Sequence, residues 1–252
     1  EPLGVKLRWH EFTSGLPLLE ALNLDNLDFS ADVADTVPVF AQAAGARLTY
    51  FARETPSPLA QAILVPGAAG GVATALAQVA RSRGLRVIGT VSSEAKGEVA
   101  RKAGADDVVI YPRDAMDKDA SKDLANRFKA ACGPEGANIV YDIVGGQYSE
   151  PALRAIAWEG RFLVVGFPAG IPKMPLNLTL LKSCDICGVF WGAFTMREPE
   201  AFRAQVEELF DLMKAGKIDP LVSETFPLAR AGDAIAKLEA REAVGKLVVT
   251  MD

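Results

Sequence analysis

The sequence predicts an α/β chain built on a doubly wound parallel sheet, and three observations predict it. Short runs rich in Val and Ile alternate with longer helical stretches across residues 62–142, the pattern of parallel strands covered on both faces. Glycines stand where each helical stretch should stop, at Gly84, Gly104 and Gly133, placed to take the left-handed conformation that ends a helix. A glycine-rich turn over residues 67–71 joins the first apolar run to the first helix, and a parallel sheet binds its ligands at that edge.

The elements follow in order. Ala62, Ile63, Leu64 and Val65 form the first strand, apolar without alternation. In the turn after it, Gly67, Gly70 and Gly71 leave room for a pyrophosphate to reach backbone N–H groups at the following helix's N-terminus, where orphan donors and the helix dipole attract anions. An ordinary tight strand-to-helix connection uses the same residues. Next come a helix ending at Gly84, a strand over 86–90, a helix ending at Gly104, a strand over 108–110, a helix closing near Gly133 and a strand over 138–142. The repeat is that of a dinucleotide-binding, or Rossmann, domain.

The tip of the second strand contacts the adenosine ribose in such folds, and a carboxylate there selects NAD. Here the tip reads Gly89, Thr90, Val91, Ser92, Ser93, with no carboxylate. Glu94 falls in the first turn of a helix capped by Ser92 or Ser93, where it favours the dipole. Lys96 follows, and a cation beside two hydroxyls suits the 2′-phosphate of NADP(H). Capping of a surface helix beside a solvated lysine accounts for the same residues.

Composition bounds the rest. The chain has 252 residues, half of them apolar, and a formal charge of −5, enough for a substantial core and unsuited to nucleic acid. No run is long and apolar enough to span a bilayer and no signal-peptide pattern opens the chain, so a cytoplasmic location is expected. Cys184 and Cys187 are spaced C-x-x-C, but in a strand they point to opposite faces and serve packing. With His10 the single histidine, neither a zinc site nor a His-dependent triad is expected.

From about Leu27 to Asp252 the chain resembles the zinc-independent quinone oxidoreductases of the medium-chain dehydrogenase/reductase superfamily. The segments that carry the resemblance are 28–39, 67–73, 87–96, 103–111, 140–146, 160–167, 176–183, 188–194 and 243–250, in the family's order. The resemblance implies that Ala69, Gly70, Gly71 and Val72 hold the pyrophosphate and that Ser92, Lys96 and Tyr111 surround the 2′-phosphate. It places Val144 and Gly145 near the middle of the cofactor, with Val165, Gly166, Phe167, Phe190, Trp191 and Gly192 flanking the nicotinamide. Core packing is the other reading of Phe190 and Trp191, and a strand-end cap that of Asp142. The activity implied is hydride transfer from NADPH to a quinone or a conjugated enone or enoyl acceptor, in a homodimer that joins at the strand around 188–194.

Two departures from the family pattern stand out. Ala73 occupies the place of a glycine, which the G/A form of the fingerprint allows. The GroES-like catalytic domain, roughly a hundred residues in the usual domain range, is expected to be mostly missing, and with it any nameable proton donor. Three parts are therefore expected: residues 1–33 as a truncated or replaced catalytic segment, 34–216 as the NADP-binding domain, and 217–252 as elements that normally pack on the catalytic domain. The last comprise 221–228, a helix over 229–240 and a strand over 246–251. Leu16, Leu18, Leu19, Leu22 and Leu24 form an apolar cluster, one amphipathic helix or a cover for those elements. A helix over 199–215 carries Phe202, Val206, Leu209, Phe210 and Met213 at helical spacing, a stripe expected to lie in the core. An NADPH-binding module without efficient turnover, and an enoyl reductase unit excised from a larger synthase, are the alternatives.

Overall fold

The computed structural model describes residues 61–240 and 242–251; His10 and the leucine cluster at 16–24 lie outside them. Six strands form one sheet: β1 (Ala62–Pro66), β2 (Arg86–Val91), β3 (Asp107–Ile110), β4 (Ala137–Asp142), β5 (Ile156–Val164) and β6 (Asp185–Gly188). Their order is β3-β2-β1-β4-β5-β6 and every pairing is parallel. Between them run α1 (Gly71–Ser82), α2 (Glu94–Lys102), α3 (Lys118–Cys132), α4 (Ser149–Arg154) and α5 (Asn177–Lys182). The expected doubly wound sheet is the one observed.

Strand periodicity divides the core into two layers. On one face Ile63, Val65, Val87 and Val91 pack under Ala73, Ala77 and Ala80 of α1 and Ala100 of α2. Small residues on α1 let that helix lie close to the sheet. On the other face Leu64, Ile88, Val140 and Phe162 meet Leu124 and Phe128 of α3 and Leu153 of α4. Phe128 and Phe162 are fully buried, each worth roughly 1.5–3 kcal/mol of transfer free energy. The glycines expected to stop helices have φ of +79° at Gly84, +112° at Gly104 and +91° at Gly133.

After β6 come α6 (Trp191–Arg197) and α7 (Pro199–Lys214), then β7 (Val222–Pro227), α8 (Ala231–Glu239) and β8 (Lys246–Thr250). β7 and β8 pair parallel in a sheet of their own. Gln78 of α1 clamps the approach to β7, its amide donating to the Asp219 carbonyl and accepting from the Asp219 N–H, both at 2.7 Å.

Two expectations fail here. The strand placed around 188–194 is β6 followed by a helix. Val189 N–H makes the last bond to Val164 O at 2.9 Å, and β5 bends just past it: after the ladder bond from Val165 N–H, Gly166 N–H also falls on Asp142 O, at 3.3 Å. With no ladder left, the backbone closes its hydrogen bonds within a helix. The stripe on α7 is not core: no residue of that helix is buried, and Leu209, Phe210 and Met213 are 42%, 55% and 44% exposed. Helical spacing shows which face a helix would bury, not whether a cover exists.

Of the C-x-x-C pair Cys184 is buried and Cys187 half-buried; Cys132 is buried as well, and none of the three forms a disulfide among the described residues. Burial pushes the Cys132 thiol up to about 12 and raises Cys184 as well.

Among the described residues one buried side-chain polar atom has no hydrogen-bond partner, Thr90 Oγ1 at the tip of β2. An isosteric methyl avoids that desolvation cost, so Thr90→Val is expected to hold stability or raise it by about 1 kcal/mol. Denaturant unfolding of the two proteins measures it, and a loss beyond 1 kcal/mol would reveal a hidden partner.

Candidate functional site

In a parallel sheet the carboxyl ends of all strands share one edge, and every position predicted from the sequence follows one of those ends. Gly67, Ala69, Gly70, Gly71 and Val72 follow β1; Ser92 and Lys96 follow β2; Tyr111 follows β3. Val144 and Gly145 come after β4, Val165, Gly166 and Phe167 after β5, and Phe190, Trp191 and Gly192 after β6.

The turn after β1 is a stack of close backbone approaches. Gly67 turns the chain at φ +71°, and a Cβ there would stand 2.9 Å from Val144 Cγ2. Ala68 N–H donates to Thr90 O at 3.0 Å, and Gly70 N–H to Gly67 O at 2.9 Å. Gly89 keeps β2 clear of the turn, since a Cβ on it would meet Ala68 Cβ at 2.8 Å. On the far side Gly245 N–H donates to Ala69 O at 2.9 Å, and a Cβ on Gly71 would lie 2.8 Å from Gly245 O. Gly67 and Gly71 are thus required by the protein's own packing.

Gly70 is different. Its φ of −77° and ψ of 157° suit any residue, and its nearest neighbour to an added Cβ is Gly67 O at 3.4 Å. No side chain caps α1 and no acidic residue stands in its first turn. The first N–H groups of the helix have no intrahelical partners and lie behind a position left bare of a side chain. Such an end is suited to an anion. Val72, in the first turn, is 51% exposed beside it.

At the β2 end Ser93, not Ser92, is the N-cap, accepting from Lys96 N at 3.4 Å, with Glu94 in the first turn as expected. Tyr111 N–H donates to Val91 O at 2.8 Å, which sets Tyr111 beside Ser92. Burial, and next the guanidinium of Arg113, hold the Lys96 ammonium below its ordinary value. Sequence reasoning missed Arg113; the signal was a cation two residues past Tyr111, in the loop after β3. The Arg113 guanidinium is thus near enough to be felt at Lys96, and positive charge at this corner suits an anion.

The loops after β4 and β5 are zipped together. Asp142 Oδ1 accepts from Val144 N and Gly145 N at 2.9 Å each, and Oδ2 from Ser149 Oγ at 2.5 Å. Asp142, buried at 2%, is the strand-end cap of the bland reading. Gly146 N–H donates to Gly170 O at 2.7 Å and Ala169 N–H to Val144 O at 2.9 Å. Gly145, at φ +72°, has no room for a Cβ, which would lie 2.7 Å from Phe167 Cα.

Phe167, Phe190 and Trp191 are 54%, 79% and 61% exposed, which removes the core-packing reading of Phe190 and Trp191. The Trp191 ring meets Phe202 edge-on at 5.8 Å. Among the described residues no three His, Cys, Asp or Glu gather where they could hold a metal ion. Nor is any helix there long and apolar enough to cross a membrane.

Residues 71–213 match the family model described as zinc-binding dehydrogenase. A quinone oxidoreductase-like protein 2 homologue of Nematostella vectensis is 33% identical over 192 residues, covering 75% of this chain and 50% of the relative. The chain spans about half the length of the curated relatives it matches. Among solved structures, a mycobacterial protein complexed with NADPH is 34% identical with a TM-score of 0.66, covering 75% of this chain and 56% of the other. Escherichia coli quinone oxidoreductase complexed with NADPH is 28% identical with a TM-score of 0.64, covering 75% and 57%.

The two cradle glycines should part company on substitution. Gly70→Ala keeps an allowed conformation and is expected to leave stability unchanged or raise it by about 0.4–1 kcal/mol. Gly71→Ala forces apart two backbones and is expected to cost roughly 1–3 kcal/mol. Equal effects in thermal unfolding would refute the distinction.

Proposed function

From the premise that this chain belongs to the zinc-binding dehydrogenase family, we propose that it is an NADPH-dependent, zinc-independent oxidoreductase acting on a quinone or a conjugated enone or enoyl acceptor. The observation that carries the reading is the bare N-terminus of α1 behind Gly70, paired with the cations Lys96 after β2 and Arg113 after β3. The two anion sites suit the pyrophosphate and the 2′-phosphate of one coenzyme. Bound NADPH would supply a hydride; the protein's part is to bind, orient and stabilise developing charge.

In this reading the turn of Ala69, Gly70, Gly71 and Val72 takes the pyrophosphate at the start of α1, and Ser92, Lys96 and Tyr111, joined by Arg113, take the 2′-phosphate. The zipped loops carrying Val144, Gly145, Val165, Gly166 and Phe167 form a stiff wall beside the coenzyme's middle and nicotinamide. Phe190, Trp191 and Gly192 flank the ring from the β6 side, consistent with aromatic faces that the described residues leave exposed. The domain of 34–216 holds the coenzyme, while 1–33 and 217–252 belong with the acceptor side. β6, as the outermost strand of its sheet, is where a homodimer would join, in the cytoplasm.

The reading is tested by titrating the full chain with NADPH and NADH. NADPH is expected to bind more tightly, and Lys96→Ala to remove the preference; equal affinity for both coenzymes would reject the assignment. Gly70→Val, which puts a branched side chain over the helix N-terminus, should weaken both coenzymes at least ten-fold while the protein stays folded, a loss comparable to one or two charge-assisted hydrogen bonds. The lowered Lys96 pKa sets the sign of a pH effect. The cation is lost at lower pH than for an ordinary lysine, so the NADPH preference should fade as pH rises, starting below the ordinary lysine range. NADPH absorbance should fall when a quinone or an enone is added. Binding without oxidation of any such acceptor would favour the binding-module alternative.

A further inference from the structure

The loop that carries Arg113 is held by the chain segment that follows β4. Gln147 reaches across to the backbone of this loop with both ends of its amide: Nε2 donates to Asp114 O at 2.9 Å and Oε1 accepts from Met116 N at 2.8 Å. That pairing imitates a strand, and it fixes two peptide groups with one side chain. Next to it Tyr148, 7% exposed, donates its hydroxyl to Pro112 O at 2.9 Å. Its ring packs on Tyr111 with centroids 4.5 Å apart and planes tilted by 45°. Two neighbouring side chains thus bind the residues on both sides of Arg113.

The segment is anchored at its other ends too. Arg127 Nη2 donates to Ile110 O at 2.6 Å, and Asp117 caps α3 through Ala120 N at 2.8 Å. Asp117 therefore spends its charge on a helix end, and Asp114 enters the contact through its carbonyl. Gln147 and Tyr148 themselves sit in the short turn just past Gly145, in the loop that Asp142 organises. The contact links the corner beside the second strand to the wall in the middle of the edge.

We propose that Gln147 and Tyr148 are positioning residues: a latch that holds the loop carrying Arg113 at the corner next to the end of β2, making this chain's preference for a 2′-phosphorylated coenzyme depend on the loop after β4. The inference rests on the coenzyme reading above. It adds that the selecting guanidinium is preorganised by residues that do not touch the coenzyme. A long side chain on an untethered loop loses conformational freedom when it binds, and the latch removes the backbone's share of that cost beforehand. Gln147→Ala leaves the cradle after β1 and the Asp142 contacts unaltered.

The test is a double-mutant cycle on coenzyme binding, by calorimetric titration of the full chain with NADPH and, separately, NADH. Gln147→Ala is expected to weaken NADPH roughly ten-fold, the scale of one charge-assisted hydrogen bond, and to leave NADH unchanged. Arg113→Ala should do the same. In the Arg113→Ala background Gln147→Ala should cost nothing further, because its effect runs through the guanidinium. Tyr148→Phe, which keeps the ring pair and deletes only the hydroxyl bond, should give a smaller loss of the same sign and serves if Gln147→Ala folds poorly. Additive losses, or equal losses for the two coenzymes, would overturn the latch while the wild-type preference for NADPH stands. A wild-type chain that binds both coenzymes alike would overturn the coenzyme reading itself, and the latch with it.

Discussion

The structure depends on how closely backbones approach one another between residues 67 and 71. Three chain segments meet there without intervening side chains: the turn itself, β2 at Gly89 and Thr90, and the connection at Gly245. A methyl group on Gly71 or on Gly89 would meet a neighbour at 2.8 Å, so the sheet, α1 and the C-terminal pair of strands can coexist only while these positions stay bare. The cradle is a by-product of that packing. Once α1 starts directly beneath two backbone crossings, its N-terminal amides face the sheet edge, and only Gly70 is left to decide whether anything can reach them.

From that point the edge is assembled by hydrogen bonds between loops that follow neighbouring strands. Asp142 ties the loop after β4 with both carboxylate oxygens, and the loop after β5 is sewn to it through Gly146 and Ala169. Gln147 and Tyr148 extend the same framework toward β3. Loops are ordinarily the softest parts of a domain. Here five successive crossings hold them, which gives this edge a fixed shape before any ligand arrives and would lower the ordering cost of binding.

The chain's apolar residues divide unevenly around this framework. The two layers against the sheet are filled to completion, with Leu64, Ile88, Phe128 and Phe162 fully enclosed. Past β6 the pattern changes: α7 has a regular apolar stripe and buries none of it, and Phe190, Trp191 and Met196 stand well into solvent. A helix becomes amphipathic through its own sequence but acquires a buried face only when another element covers it. This is why spacing identified the stripe and misplaced it.

The sequence by itself determined the sheet and the edge on which every candidate residue lies. Hydrophobic runs, terminal glycines and the turn after β1 are local properties, and local physics is readable one residue after another. It also determined that no carboxylate stands at the tip of β2. Only the tertiary structure decided which glycines serve packing and which one serves the cradle, because the collisions at Gly67 and Gly71 come from Val144 and Gly245, far along the chain. The same holds for Tyr148 packing on Tyr111 and for Gln147 reaching the backbone at Asp114 and Met116. Each is a contact between segments whose separation in sequence carries no mark of their meeting, since the distance between them is set by the twist and order of the sheet.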